Sequence, residues 1–285
     1  MKEAAFDLSL RNGYRVQARA KHGVVPFGED ALIGALRAHP QARLIGAGYN
    51  IILSKSRYDE SFIVVSLPAH MQTGAQFAGR RLRAYAGTSM LDLSIAAQRL
   101  GLSGLEMFYD IPSSLGGAVV MNAGANGLEI CELLVSVRAF DRSTGDILEL
   151  RAGDLDYGYR RSLFQARPSL VVLSAELELR QGDPDEVRVT MERIKETRWR
   201  KQPRDLPNAG SVFKRPPGRF VGQMLDELEL RGLTIGGAQI STKHSGFIVN
   251  LGGATGADIL ALIEEVRKRV YAHFQIDLVR EQVII

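Results

Sequence analysis

The sequence predicts an α+β fold, on three observations. Alternating apolar runs and helical-period apolar runs interleave along the 285 residues. A stretch of small residues at 111–127 interrupts them, with four glycines in seventeen positions. Gly182-Asp183-Pro184 then breaks the chain ahead of a long helical pattern. The length suits about two domains with an ample core. The breaks suggest units at 1–70, 71–185 and 190–276, with the tail 277–285 a candidate to return to the first.

In chain order, Tyr14 to Ala20 reads as extended, and Glu29 to Ala38 as a helix that stops at Pro40 and buries Leu32, Ile33 and Leu36. A short strand at Leu44-Ile45 runs into Gly46-Ala47-Gly48-Tyr49-Asn50 and then Ile51 to Leu53. Phe62 to Leu67 and Leu82 to Gly87 read as strands. Ser89 caps a helix ending at Gly101, with Leu93, Ala96, Ala97 and Leu100 inward. Val135, Val137 and Ala139 alternate with polar residues, and the turn Asp141 to Asp146 returns the chain through Ile147 to Leu150 as a hairpin. Leu170 to Leu179 is another strand. Asp183 caps, and Pro184 opens, a helix to about Arg200 that Pro203 closes. Residues 219 to 231 form a helix with Val221, Met224, Leu225 and Leu228 inward, ended by Gly232. Thr255 caps the last helix, which buries Ile259, Leu262, Ile263, Val266 and Val270.

Composition narrows the function classes. Apolar residues at 45% and charged residues at 24% describe an ordinary soluble globular chain. No apolar run reaches the ~18 residues of a membrane span, and Met1 to Arg15, with Lys2, Glu3, Asp7 and Arg11, does not read as a secretory signal. Cys131 is the sole cysteine, which excludes an internal disulfide and fits a reducing cytoplasm. The net charge is +4, but outside Arg80-Arg81-Leu82-Arg83 and Arg198-Trp199-Arg200-Lys201 the basic residues alternate with acids. No nucleic acid is expected, and neither a membrane nor a metal; a phosphorylated small molecule needs only a few cations. No oligomer is implied.

The stretch Ile111 to Gly127 contains no Lys or Arg. An anion held there would be met by main-chain N–H groups, hydroxyls and the Asn122 and Asn126 amides, as backbone nests do for nucleotide phosphates. Composition alone favours a plain Gly-rich turn in an α/β core. The literal string is more specific. Ile111-Pro112, Gly116-Gly117-Ala118 and Met121-Asn122-Ala123-Gly124-Ala125, with Gly127, resemble the flavin-binding loop of the UDP-N-acetylenolpyruvoylglucosamine reductases, flavoenzymes of bacterial cell-wall precursor synthesis. Matches continue in the family's order over most of residues 85 to 281. They include Tyr159-Arg160 with Ser162 and Phe164, Arg198 with Lys201 and Pro203, Pro207 to Pro217 around Gly210-Ser211, Ile240 to Asn250, and Phe274 with Ile276, Leu278 and Glu281.

The resemblance implies the FAD-binding fold of the vanillyl-alcohol-oxidase (PCMH) type, its two α/β subdomains at 1–70 and 71–185 and a substrate-binding α/β domain at 190–276. It implies non-covalent FAD held by Gly46, Gly48, Asn50, Ile111, Pro112, Ser113, Ser114, Gly116, Gly117, Asn122, Gly124 and Arg198. NADPH is the implied reductant. Lys201 and Arg215 are implied to meet the diphosphate of a UDP-sugar, UDP-N-acetylglucosamine enolpyruvate. Arg160 and Glu281 are implied to stabilise an enol-like intermediate, and Ser211 to donate the proton. Taken alone, these residues have plainer readings: a structural arginine, a turn serine, a solvated glutamate and a basic turn favoured by the helix dipole. Prolines and a glycine nonetheless fix the Ser211 loop, and His244 reads as structural.

The chain departs from the family at several positions. Gly13-Tyr14 stands where the family has Thr-Phe, Tyr49 where it has serine, Ser113 where it has glycine, and Gln282 where it has valine. No extra substrate-covering loop follows Tyr159-Arg160, so the shorter form of the family is the better match. Two alternatives stand beside the reductase: a flavin-free UDP-sugar-binding or regulatory protein on the same scaffold, and an FAD-dependent sugar or alcohol oxidase of related fold. Covalent flavin attachment in such an oxidase needs a placed His or Cys, and between residues 40 and 130 there is only His70.

Overall fold

A computed structural model of the chain describes residues 5–68 and 74–285; His70 lies outside them. The chain groups into two compact units, Gly23–Ala47 with Ser61–Glu196, and Met1–His22 with Gly48–Glu60 and Thr197–Ile285. We call them the middle and the terminal unit.

The middle unit is built on a five-stranded antiparallel sheet in the order Ile147–Arg151, Leu134–Asp141, Leu170–Glu178, Arg81–Tyr85, Gln76–Ala78. The expected hairpin is present, with Val137 opposite Leu150. Helices α1 (Glu29–Ala38) and α3 (Leu115–Met121) pack on the central strand Leu170–Glu178, and α2 (Met90–Arg99) is fastened to the turn at Leu105–Phe108. Leu32, Leu36, Leu82, Leu93, Val119, Val137 and Leu173 form one core. Arg43–Ile45 pairs in parallel with Phe62–Val64. A four-residue helix α4 (Leu163–Ala166) follows Ser162, and α5 (Pro184–Lys201) begins where Asp183 Oδ1 accepts the N–H groups of Asp185 and Glu186, at 2.8 and 3.1 Å.

In the terminal unit a three-stranded antiparallel sheet, Thr234–Ile235, Ala238–Ile240, Ile248–Asn250, is covered by α7 (Gly256–Phe274), against which α6 (Val221–Glu227) packs. Ile259, Leu262, Ile263, Val266 and Val270 are all buried, as the helical period requires. Val283–Ile284 lies parallel to Ile51–Ile52.

Three elements differ from expectation, each for a local reason. The strand expected at Tyr14 to Ala20 is found at Arg19–Val24. Upstream, the buried Asn12 amide donates to the Leu8 and Val16 carbonyls and accepts the Val16 N–H, so the backbone is satisfied without a ladder. On α2, Leu100 is 53% exposed at the C-cap and Ser94 faces inward instead, its hydroxyl donating to Met90 and Leu105 carbonyls. Helix α6 ends at Glu227 and not before Gly232, because Glu229 takes φ 52° and the Leu230 N–H closes back on the Leu225 carbonyl at 2.9 Å.

The start of α7 gives a discriminating test of this packing. Thr255 and Asp258 form a reciprocal capping box, and a Cβ on Gly256 would overlap the Leu53 carbonyl. In urea titrations of the apoprotein, Thr255→Ala is expected to cost about 1 kcal/mol. Gly256→Ala, which helix propensity favours by roughly 1 kcal/mol in a helix interior, is expected instead to cost about 1–3 kcal/mol by overpacking. A stabilised Gly256→Ala protein would show that α7 does not press on residues 53–54.

Candidate active site

Within the middle unit the strand end at Gly46 and the Gly-rich stretch come together. A Cβ on Gly46 would sit 2.7 Å from Ser114 Oγ, so a larger residue there would displace that hydroxyl. Ser114 caps α3, accepting the Gly117 N–H at 3.3 Å. The start of α3 is also tied to its neighbour, with Leu115 N–H donating to the Thr88 carbonyl and Gly116 N–H to the Ala86 carbonyl, at 2.8 and 2.7 Å. Gly116 is packed so tightly that a Cβ would lie 2.9 Å from Ala86 Cβ. Gly117 differs: a Cβ there would meet only Ser114 and Ser113 Oγ, at 3.3 and 3.6 Å. Its bare backbone is flanked by two hydroxyls. Ser113, the residue in place of a glycine, is not among the positive-φ positions, and its hydroxyl donates to the Ser114 carbonyl at 2.9 Å. Ile111 and Pro112 lead into this turn through Ser113 N–H to the Ile111 carbonyl, 2.8 Å.

Asn122, at the C-cap of α3 with φ 44°, is wholly buried. Its amide donates to Glu129 Oε2 at 2.8 Å and to the Gly158 carbonyl at 3.0 Å, and accepts the Cys131 N–H at 3.3 Å. It therefore organises the stretch from inside. Arg160 is fastened to the same place. Its guanidinium donates to the Asn122 and Gly124 carbonyls at 3.1 and 3.0 Å, lies 3.9 Å from Glu129 Oε1 and stacks 5.1 Å from the Tyr159 ring centroid. The Arg160 side chain is 17% exposed, whereas Arg161 makes an exposed ion pair with Asp156. A Cβ on Gly124 would come 2.8 Å from Arg160 Nη1. Glu129 thus belongs to the arrangement that holds Arg160, and nothing in its sequence context signals that.

In the terminal unit Ser211 and Glu281 are carried on neighbouring backbone segments. The Glu281 N–H donates to the Val212 carbonyl at 2.8 Å, the Lys214 N–H to the Val279 carbonyl at 2.8 Å, and Phe213 bridges Arg280. Val212 and Phe213 are buried, and Ser211 is exposed beside them. Asn50 joins this group, its amide donating to the Glu281 carbonyl at 3.3 Å and its own carbonyl accepting the Val283 N–H at 2.9 Å. Gly48 is pressed on residues 11–12, where a Cβ would overlap the Arg11 carbonyl. Of the basic residues, Arg198 and Lys201 lie in the last turn of α5, and the exposed Arg215 stacks 4.5 Å over the Phe220 ring.

His244 belongs to the turn that holds Phe247, whose N–H donates to the His244 carbonyl at 3.0 Å. Its Nδ1 accepts the Gly246 N–H at 3.1 Å, and its ring meets Phe247 edge-on with centroids 4.9 Å apart. Burial pushes its pKa below the ordinary value of 6.5; the turn's backbone hydrogen bond and Asp226 oppose that shift, and Arg231 adds to it.

Two glycine turns in contact, with hydroxyls where they meet, are a geometry that fits a nucleotide-binding domain. The family model described as "FAD binding domain" matches residues 24–151, and the model described as "UDP-N-acetylenolpyruvoylglucosamine reductase, C-terminal domain" matches residues 202–285. The UDP-N-acetylenolpyruvoylglucosamine reductase of Francisella tularensis is 38% identical over 98% of this chain and 99% of its own. That of Pseudothermotoga lettingae is 39% identical over 95% of this chain and 93% of its own. The crystal structure of UDP-N-acetylenolpyruvylglucosamine reductase from Thermus caldophilus superimposes with a TM-score of 0.81, at 30% identity, over 99% of this chain and 98% of that one. The chain belongs to the UDP-N-acetylenolpyruvoylglucosamine reductase family, and the expected α+β, FAD-binding fold is the one it has.

The His244 turn makes a pH prediction. Above about pH 6.5 the imidazole is neutral folded and unfolded, and its contribution is fully present. Below that value the unfolded chain takes up the proton first, so stability falls as the pH drops toward the lower native pKa. Chemical denaturation between about pH 7.5 and 5 is expected to show this loss, and His244→Gln to flatten it. An unchanged slope in the variant would assign the effect elsewhere.

Proposed function

We propose that this chain is an FAD-dependent reductase that uses NADPH to reduce the enolpyruvyl ether of UDP-N-acetylglucosamine enolpyruvate to UDP-N-acetylmuramate. The observation that supports this is the main-chain pairing of Glu281 with Val212, the residue after Ser211, in a chain matching reductases of that name along nearly its whole length. The product serves peptidoglycan precursor synthesis, in the cytoplasm. In this proposal residues 1–70 and 71–185 are the FAD-binding subdomains and 190–276 the substrate domain.

The residues present fit the cofactor. Gly46, Ser113, Ser114 and Gly117 supply main-chain and hydroxyl groups of the kind that hold phosphate oxygens. Gly48, Asn50, Ile111, Pro112, Gly116, Asn122 and Gly124 shape those turns, and Arg198 is assigned to the flavin by its motif. Bound FAD supplies the hydride chemistry, passing the electron pair of NADPH to the alkene. The terminal carbon gains hydride, and the adjacent carbon must then gain a proton. Ser211, exposed on a loop whose neighbours are buried, is the donor; the carbanion is basic enough for a hydroxyl to serve. Glu281, on the segment paired with it, hydrogen-bonds the charge that develops toward the substrate carboxylate, which requires its protonated form. Arg160 is assigned to the same charge by its motif. Lys201 and Arg215 meet the diphosphate.

Two experiments test these roles. In the first, flavin-loaded protein is bleached by NADPH and its absorbance restored by the enolpyruvyl substrate. Ser211→Ala is expected to bleach at the wild-type rate and to reoxidise about 10² to 10⁴ more slowly, the usual cost of losing a placed general acid. Arg160→Ala and Glu281→Gln are expected to show the same split. Wild-type turnover in Ser211→Ala, or failure already at bleaching, contradicts the role given to Ser211.

In the second, steady-state kinetics of Lys201→Ala and Arg215→Ala are expected to show a raised KM with kcat little changed, the mark of contacts made equally in ground and transition states. Unchanged substrate affinity in both would move the diphosphate elsewhere.

A further inference from the structure

We propose that Gln282 and Tyr14 are positioning residues that lock the Ser211 loop to the segment carrying Glu281. The proposal rests on the roles given to Ser211 and Glu281 above. Gln282 is 2% exposed and Tyr14 is 0% exposed. The Tyr14 hydroxyl donates to Gln282 Oε1 at 2.9 Å, and Gln282 Nε2 donates to the Ala209 and Gly210 carbonyls at 3.0 and 3.2 Å. One buried amide therefore joins the residue after Glu281 to the two residues before Ser211.

Tyr14 is itself held in place. Its carbonyl accepts Asn250 Nδ2 at 2.7 Å, and the Asn250 N–H donates to the Pro207 carbonyl at 2.9 Å, where the same loop begins. Gly13 completes the wall: a Cβ there would overlap the Asn208 carbonyl and lie 3.0 Å from the Tyr49 ring and 3.1 Å from Ala209 Cα. Residues 13, 14, 49 and 282 thus lie around one loop. Burial raises the Tyr14 pKa, with the Gln282 contact opposing it, so the phenol remains a donor at every working pH.

The geometry gives Gln282 a directional task. Gly210 has φ 77°, a conformation from which a glycine can swing, and its carbonyl orientation determines how the chain enters Ser211. A hydrocarbon at position 282 would fill space without fixing that carbonyl. A misplacement of about 1 Å at a reacting group costs on the order of 10²-fold in rate, so the amide acts through Ser211 and not on substrate.

The test uses FAD-loaded protein and compares Gln282→Val and Tyr14→Phe with Ser211→Ala and Glu281→Gln. Gln282→Val is expected to bleach with NADPH at the wild-type rate and to reoxidise with the enolpyruvyl substrate about 10²-fold more slowly. Tyr14→Phe, which keeps the ring and so preserves folding if Gln282→Val does not, is expected to show a smaller loss in the same step. Independently of activity, hydrogen–deuterium exchange of the substrate-free protein is expected to rise in the peptide 207–214 in both variants. Wild-type reoxidation in both, with Ser211→Ala and Glu281→Gln impaired, overturns the positioning role alone. Equal slowing of both half-reactions also overturns it, since that is a general loss of structure. Wild-type reoxidation in Ser211→Ala and Glu281→Gln overturns the catalytic assignment and the proposal with it.

Discussion

The terminal unit depends on a short run of main-chain pairing between residues 212–214 and 279–281. Two hydrogen bonds of 2.8 Å, Glu281 N–H to Val212 and Lys214 N–H to Val279, bring together segments that are remote in sequence. Each is worth only about 1 kcal/mol net. The pairing persists because apolar burial supports both sides, Val212 and Phe213 on one and Leu278 on the other. Continuation of the tail into parallel pairing with Ile51–Ile52 extends that support. Because the bonds are made by backbone, the registration of Ser211 against Glu281 does not depend on either of those side chains. Either side chain can therefore be changed without dismantling the backbone that carries it.

The glycines fall into two physical classes. Gly210 is used for its positive φ. Gly46 against Ser114, Gly116 against Ala86 and Gly13 against residues 208–209 are used because a Cβ would not fit. In this second class the atom met is the Ser114 hydroxyl for Gly46, the Ala86 methyl for Gly116 and the Asn208 carbonyl for Gly13, and of these only the hydroxyl has a rotamer to relax. A loop packed this way holds its backbone with little spread.

Legibility in the sequence followed the range of the interactions. Helix starts at Ser89, Asp183 and Thr255 were readable because a cap is a contact between residues two or three apart. The end of α6 was not, since a glutamate in the left-handed region leaves no residue-type signal. Nor was the delayed strand after Asn12, whose buried amide satisfies the backbone from four residues away on either side. At the site, motifs named Arg160, Ser211 and Glu281, but they carry no information on what holds them. Glu129 and Asn122 reach Arg160 from far along the chain, the Asn122 carbonyl accepting its guanidinium and Glu129 lying beside it. Gly13, Tyr14, Tyr49 and Gln282 read as separate positions along the chain, because only folding brings them to one loop.

A buried amide and phenol are demanding choices for a core. Either one left without its partner costs about 1–3 kcal/mol, so the arrangement tolerates no loose geometry. An apolar pair of similar volume carries no such risk, yet it is indifferent to where nearby carbonyls point. Gly210 makes that indifference consequential, for it is the residue with the widest backbone freedom immediately before Ser211. Its N–H is taken by Asn208 Oδ1 at 3.1 Å and its carbonyl by Gln282 Nε2 at 3.2 Å. With both polar groups of that peptide unit's glycine engaged by side-chain amides, the freedom that lets the chain turn is removed once the turn is made. The polar core around Tyr14 thereby converts a flexible residue into a fixed one at the point where direction matters.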